Sequence, residues 1–301
     1  GYNEQGQVVG TSYERFTGNI NGSYKVRDNI KINAGATYSF SKKPGLWISE
    51  AQLFYRSMSL WPTLNPYDED GNPAAGVGSA DGNPLYWKDK LQRINNVRRT
   101  TFNIGGSWEI IPGLALNENS SIYYIDKQYQ TQNSSTPNNT RNARGMYERQ
   151  FQQQHSATLT YNKSFIEKHN LDAMIGGEYF DYNRFKLQAK GNKAPSDDIP
   201  TLNGSSDKTE VYSYKDGYRM LSGFARVNYN YEYKYLFSVV ARYDGISKLS
   251  DNRWGFFPGV SAGWNLHEES FFKDTEVAKY VSTVKPRVSY GVNGNVAGLG
   301  N

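Results

Sequence analysis

Strict alternation in two consecutive runs constrains this chain more than any other feature. In residues 15–26, RFTGNINGSYKV, every even-numbered position from Phe16 to Val26 is apolar, aromatic or glycine, and nearly every odd one is polar. After Arg27-Asp28-Asn29 the same rule resumes from Ile30 to Phe40. A period of two marks β-strands whose faces meet different surroundings. A three-residue turn would make the two runs a hairpin with Val26 and Ile30 on one face. The odd face carries Thr17, Asn19, Asn21, Ser23 and Lys25, then Lys31, Asn33, Thr37 and Ser39, a set too polar for a protein core. Two arrangements satisfy this pattern. The even face packs on a second sheet in a water-soluble β-sandwich or propeller, or it faces lipid while the odd face lines a wet or protein-filled lumen.

Composition narrows the class. Only 37% of the 301 residues are apolar and mean hydropathy is -0.74, which leaves little aliphatic side chain for a dry core. Disordered chains share that polarity but are poor in aromatics, and 15% of this chain is Phe, Trp or Tyr. No run of about 18 apolar residues occurs, so transmembrane helices are excluded, whereas membrane β-strands need only about 10 alternating residues. The chain opens on Gly1-Tyr2 and not on Met, with no signal peptide, as expected of a processed or excised chain. With no cysteine there is neither a disulfide framework nor thiolate chemistry. The net charge of +5 is spread out, with no Lys/Arg block longer than a pair such as Arg98-Arg99, which argues against nucleic acid as a partner.

Alternating segments recur along the chain with one short connection and then one long one. TFNIGGSWEI turns at Ile111-Pro112-Gly113 into LALNENSSIYYI, where alternation weakens, and DKQYQTQNSSTPNNTRNARG reads as a polar loop. ATLTYNKSF turns at IEKHN into LDAMIGGEYF, and residues 182–217 read as another loop. LSGFARVNYNY turns at Glu232-Tyr233-Lys234 into YLFSVVARY, and FPGVSAGWNL and VKPRVSYGVN are joined by a segment with the makeup of a short helix. The expected fold is all-β: about ten antiparallel strands of a transmembrane β-barrel, an incomplete barrel, with short turns at one end and long extracellular loops at the other. Aromatics at strand ends, among them Tyr38, Phe40, Tyr179, Tyr235 and Tyr243, fit girdles at two bilayer interfaces.

Signals for chemistry are weak, and no catalytic residue is expected. His155, His169 and His267 are far apart in sequence and none has an evident partner; Ser39 to Lys42 matches a Ser-x-x-Lys pattern but ends a strand. Asp68, Asp70 and Asn72 around Gly71 resemble the start of a calcium loop without its closing glutamate, so they are weak candidates for Ca2+, and no other cofactor is expected. The surrounding loop carries Trp47, Tyr55, Trp61, Tyr67, Tyr86 and Trp87 among carboxylates and amides, a mix suited to stacking on a substrate or docking a partner.

The stretch ARYDGISKLSDNRWGFFPGVSAGWNLHEESFF, followed by VKPRVSYGVNGN, resembles the late-barrel signature of SusC/RagA-type TonB-linked outer-membrane transporters. The resemblance is carried by Arg242, Asp244, Gly245, Asn252, Arg253, Trp254, Gly255, Pro258, Gly263, Trp264, Tyr290 and Gly291, which it marks as structural. Earlier pieces, LFYRSMSLWPTLNPYDEDGNP and LTYNKSFIEKHNLDAMIGGEY, are similar to family segments as well. Ile246, Lys248-Leu249 and Gly259 depart from the pattern, and Pro286 does so in a way that suits a strand start. The resemblance implies the outer membrane of a Gram-negative bacterium and import of oligosaccharides or peptides. It further implies a SusD-like lipoprotein lid, energy from TonB and a plugged 22-stranded barrel. On that expectation residues 1–301 are part of the barrel domain, without plug or final strands, and not transport-competent alone. A soluble carbohydrate-binding or adhesin-like β-protein is the alternative, and it would bury its apolar faces on each other.

Overall fold

The computed structural model describes residues 1–6, 11–44, 54–55, 58–74, 83, 85–86, 90–134, 141–166, 168–199 and 201–294. Its strands are β1 (Tyr2–Gln5), β2 (Ser12–Arg27), β3 (Ile30–Lys42), β4 (Leu91–Ile111), β5 (Leu114–Asn133) and β6 (Ala143–Phe165). They continue with β7 (His169–Asn192), β8 (Asp207–Tyr231), β9 (Tyr235–Ile246), β10 (Trp254–Trp264) and β11 (Arg287–Gly291). All pair antiparallel in chain order within one 11-stranded sheet, open at β1 and β11. The strand beyond the expected ten is β1, whose YNEQ is too short and too polar for alternation to mark it.

The hairpin of β2 and β3 pairs from Glu14↔Lys42 to Arg27↔Ile30, so its turn is residues 28–29 and not three residues, with a register shift between Lys25 and Arg27 that absorbs Val26. The other turns at this end are 112–113, 166–168 and 232–234. Gly113 sits at φ 86° and a Cβ there would lie 2.3 Å from the Asn162 carbonyl oxygen, so only glycine fits this turn. Glu232 and Tyr233 both take left-handed conformations, φ 52° and 56°, as a tight hairpin of that twist demands. The connection 265–286 is the exception at this end: it is long, and it contains the expected short helix as Ser270–Lys273 between two single 3-10 turns.

At the other end the strands outrun their expected limits. DKQYQTQN belongs to β5, and β6 begins at Ala143, so much of that expected loop is paired, for instance Lys127↔Glu148 and Tyr129↔Met146. The expected loop 182–217 shrinks to 193–206 between β7 and β8. β4 to β8 are 20 to 25 residues long, about twice what a bilayer crossing needs. Above the bilayer both faces meet water, so alternation fades while the hydrogen-bond ladder continues.

Among the described residues the sheet has no second layer. Among the described residues only Ile125, Ala143, Ala194 and Ile246 are buried apolar side chains, while Ile20 is 72% exposed, Tyr24 70% and Ile175 62%. The burial of apolar faces on each other that a soluble sandwich requires is therefore missing. No described helix is long and apolar enough to cross a membrane.

Pairing register gives the tilt. The row starting at Ile30, just after the β2–β3 turn, crosses Trp108, Leu116 and Leu159 and reaches β7 at Ile175, six residues past His169, the first residue of that strand. The row of Phe40 likewise reaches β7 at Phe185, six residues past Tyr179. Six residues along a strand are about 20 Å and four strand spacings about 19 Å, a tilt of about 45°. Closed barrels need about 35–45°.

Candidate functional site

The apolar face is banded. Phe165, His169, Tyr231, Tyr235 and Trp264 occupy one row at the short-turn end. Tyr235 and Trp264 stack there with centroids 6.2 Å apart, and His169 Nδ1 lies 2.6 Å from the Tyr229 hydroxyl. Above them lie Ile175, Val227, Val239 and Val260, all exposed. The band closes at Tyr179, Tyr243 and Trp254; Tyr243 and Trp254 stack at 5.0 Å with ring planes 11° apart. Gly245, opposite Trp254, makes this possible, because a Cβ there would lie 2.7 Å from the indole. Two aromatic rows bounding an aliphatic strip match the interfaces and hydrocarbon of a bilayer.

The opposite face carries hydrogen-bonded side chains from strand to strand. Arg242 Nε donates to both oxygens of Asp244, at 2.7 and 2.9 Å, its Nη2 donates to Ser222 Oγ at 3.0 Å, and its guanidinium lies over the Phe224 ring. Below it, Asn228 Nδ2 donates to Asp172 at 2.8 Å and Asn228 Oδ1 accepts from the Ser238 hydroxyl at 2.7 Å. Of the other signature residues, Asn252 takes φ 50° in the loop 247–253, where Arg253 Nε donates to the Leu249 carbonyl. Gly255 and Gly263 lie on the polar side of β10, Pro258 pairs with Ala241, and Tyr290 and Gly291 pair with Val260 and Gly259 along β11.

The aromatic loop is brought together only in part. Trp47 and Trp87 lie outside the described residues, and Tyr55 and Trp61 are exposed. Tyr67 forms an isolated bridge with Pro73. Asn83 clamps this turn to the next segment, its Nδ2 donating to the Pro66 and Ala74 carbonyls while its Oδ1 accepts from Leu85 N. Tyr86, one residue on, lies 5.2 Å below the Lys90 ammonium. Asp68 Oδ1 accepts from the amides of Asp70 and Asn72, at 3.1 and 2.8 Å, so the carboxylate closes its own turn. Among the described residues no three His, Cys, Asp or Glu side chains converge as metal ligands.

Three side-chain groups escape sequence reasoning. Above the band on the polar face, Glu148 accepts from Lys127 and Arg184, both at 2.8 Å, and from Gln150 at 2.6 Å. Burial pushes its carboxyl up, but the hydrogen bonds from Arg184, Lys127 and Gln150 outweigh that and hold it at about 2. At the short-turn end Glu269 accepts from the Tyr235 hydroxyl at 2.7 Å and Trp264 Nε1 at 3.1 Å, with Lys234 Nζ 3.3 Å away, fastening the segment 265–286 to β9 and β10. Those bonds, Tyr235 first and then Trp264, lower its carboxyl below the usual range.

The third group corrects a sequence expectation, because His155 does have a partner. Its Nδ1 lies 2.7 Å from Ser120 Oγ, whose proton goes to Glu118, and all three lie on the apolar face. The carboxylate binds the serine and not the histidine, the reverse of a hydrolytic triad, so the contact is no nucleophile site. The weakened alternation in LALNENSSIYYI is the trace of Glu118 and Ser120 in the sequence.

A family model described as TonB dependent receptor-like, beta-barrel, matches residues 47–300. The chain is 28% identical over 309 residues to TonB-dependent receptor P39 of Formosa agariphila, covering 97% of this chain and 28% of that protein. It is 27% identical over 328 residues to TonB-dependent receptor SusC of Bacteroides thetaiotaomicron, covering 98% and 31%. The chain therefore spans about a third or less of the curated relatives it matches. In fold it is similar to a chain of the RagAB peptide transporter, with TM-score 0.79 and 19% identity over 93% of this chain and 33% of that one. The ferric citrate transporter FecA follows with TM-score 0.57 and 9% identity, over 86% and 34%.

Proposed function

This chain belongs to the TonB-dependent receptor-like β-barrel family of the outer membrane, and on that premise we propose that it forms a middle-to-late stretch of the wall of a nutrient importer. The importer takes up oligosaccharides or peptides, works with a SusD-like surface lipoprotein and draws its energy through TonB. The observation that carries this reading is the single open meander with a banded apolar outside and a hydrogen-bonded polar inside, without a second layer among the described residues to cover either. Such a wall encloses a route only when further strands close it and a plug fills it. The greater likeness in fold to the RagAB peptide transporter than to the ferric citrate transporter FecA favours a nutrient over a metal chelate as cargo. The loop aromatics Tyr55, Trp61, Tyr67 and Tyr86, with Trp47 and Trp87, are assigned to contact with cargo or lid, and Asp68, Asp70 and Asn72 to an optional Ca2+ that would rigidify the same loop.

The test is uptake of labelled oligosaccharides and peptides by cells carrying or lacking the full-length receptor, with and without the neighbouring surface lipoprotein. Uptake that needs both proteins supports the reading, and uptake indifferent to the receptor overturns it. Residues 1–301 refolded alone should give no heat-modifiable band in detergent.

A further inference from the structure

We propose that the inner face of the wall above the apolar band binds anionic groups strung along an extended ligand, with Arg93, Arg144 and Arg99 as anchoring cations, the first two held against the Tyr129 ring. This rests on the importer reading, because only in a barrel does this face line the cargo's route, and it narrows the cargo to acidic chains.

Register places the cations. Arg93, Thr131, Arg144 and Lys190 form one row across β4 to β7, and Arg99, Ile125, Gln150 and Arg184 form another. The rows lie about 20 Å apart along the strands, the reach of about six extended residues. Acidic groups on this face do not balance the basic ones. Glu148 is taken by Lys127 and Arg184, Glu210 by Lys190, and the third carboxylate of this stretch, Asp216, lies opposite Arg184 on β8 and is itself engaged. Arg93, Arg99, Arg144 and Lys186 have no carboxylate within ion-pair range among the described residues.

The guanidiniums are also short of charged acceptors: Arg144 Nη2 donates to the neutral Gln188 Oε1 at 2.5 Å, and only Arg184, through Nη2, already meets a carboxylate, that of Glu148. The Nε atoms of Arg93, Arg144 and Arg184 are buried without a hydrogen-bond partner, and no other buried side-chain nitrogen among the described residues is left so. Aromatic rings fix their planes without neutralising them: Arg93 and Arg144 lie 5.8 and 5.6 Å from the Tyr129 centroid, and Arg184 5.5 Å from that of Tyr214. A planar, pre-oriented, charged fork with free donors is what a carboxylate engages in two hydrogen bonds at once. At the same height on the outer face Arg98 pairs with Asp126 at 3.3 Å and Arg219 with Asp181 at 3.2 Å, while Arg149, in the row of Arg98, is in no ion pair among the described residues. The segment 193–206 also packs on that outer face, where Gln132 Nε2 donates to the Ile199 carbonyl at 3.3 Å and the Leu202 side chain crowds Gly145.

The test is calorimetric titration of the full-length receptor in detergent with four probes: hexagalacturonate, maltohexaose, a hexaglutamate peptide and a hexaserine peptide. At least one acidic probe should bind about tenfold or more tighter than its neutral counterpart and lose that advantage at high salt. Which acidic probe binds identifies glycan or peptide as the source of the charge. The Arg93→Gln/Arg144→Gln double variant should lose about tenfold in affinity for that probe and none for the neutral one. If heat-modifiable migration shows that this variant does not fold, Arg93→Lys/Arg144→Lys replaces it; that pair keeps the charges without the fork and should lose several-fold. Equal affinity for acidic and neutral probes, or undiminished binding by the folded variant, overturns the proposal. A receptor that imports neutral chains and ignores acidic ones sinks this proposal alone, whereas one that imports no chain sinks the importer reading.

Discussion

The β2–β3 hairpin and the upper halves of β5 to β8 are parts of one continuous sheet, ordered by different means. In the hairpin each side chain has one of two surroundings, and the ladder from Glu14↔Lys42 to Arg27↔Ile30 repeats that choice without exception from Phe16 to Tyr24 and from Ile30 to Phe40. In the upper wall both faces are wet, and in these halves of the strands Ile125 and Ala143 are the buried apolar side chains among the described residues. There the order comes from charged and aromatic pairs across strands, with Glu148 gathering Lys127 and Arg184 from its two neighbours. A β-sheet can therefore be specified by partition between two solvents or by cross-strand contacts, and only the first leaves a periodic trace in the sequence.

The largest effect should come from breaking partition in the band. Ile104→Lys, on the outer face, should destabilise the full-length receptor in phospholipid vesicles by about 2–4 kcal/mol, read by denaturant unfolding, while Asn103→Lys, one residue away on the inner face, should cost under about 1 kcal/mol. Equal costs would mean that the band is not in lipid. Next comes the upper wall: Glu148→Ala leaves two cations facing each other and should cost about 1–3 kcal/mol. Hydrogen exchange should rise in residues 143–150 and 183–188 but not in 30–40; a uniform rise would show that the two regions are not separately ordered.

The same carboxylate gives a pH dependence. Its folded value of about 2 lies below its ordinary 4.5, so its contribution is complete above about 4.5 and is lost as pH falls through about 2. Protection of residues 143–150 should hold from neutrality to about pH 5, decay below it, and become flat over that window in Glu148→Gln. The smallest effect is expected from Glu118→Leu, which removes a carboxylate from the lipid face and should stabilise the receptor in vesicles by about 1 kcal/mol. A loss of stability instead would mean that the contacts of Ser120 with Glu118 and His155 outweigh that carboxylate's exposure to lipid.

What could be read from the sequence follows the same division. The hairpin, the four short turns and the strand start after Pro286 were legible because alternation, turn residues and a missing amide are local properties. β1 was not, since four polar residues contain no period. The extension of β5 through DKQYQTQN was not either, because Lys127 is specified by Glu148 on the next strand, 21 residues away. The aromatic loop was legible as composition only: Asn83 joins the Pro66 carbonyl, beside Tyr67, to the Leu85 amide, beside Tyr86, and no aromatic count singles that residue out. The three arginines of the inner face resembled scattered surface charge until pairing placed Arg93 and Arg144 against the Tyr129 ring.

The tilt derived from the Ile30 and Phe40 rows also sets how those arginines are disposed in height. Crossing from β4 to β7 along the row of Arg93, Arg144 and Lys190 covers about 14 Å of wall and, at about 45°, changes height by about 10 Å. Successive charges therefore sit on the steps of a spiral stair and not around a level ring, and a chain that moves from one cation to the next is turned about the barrel axis as it descends.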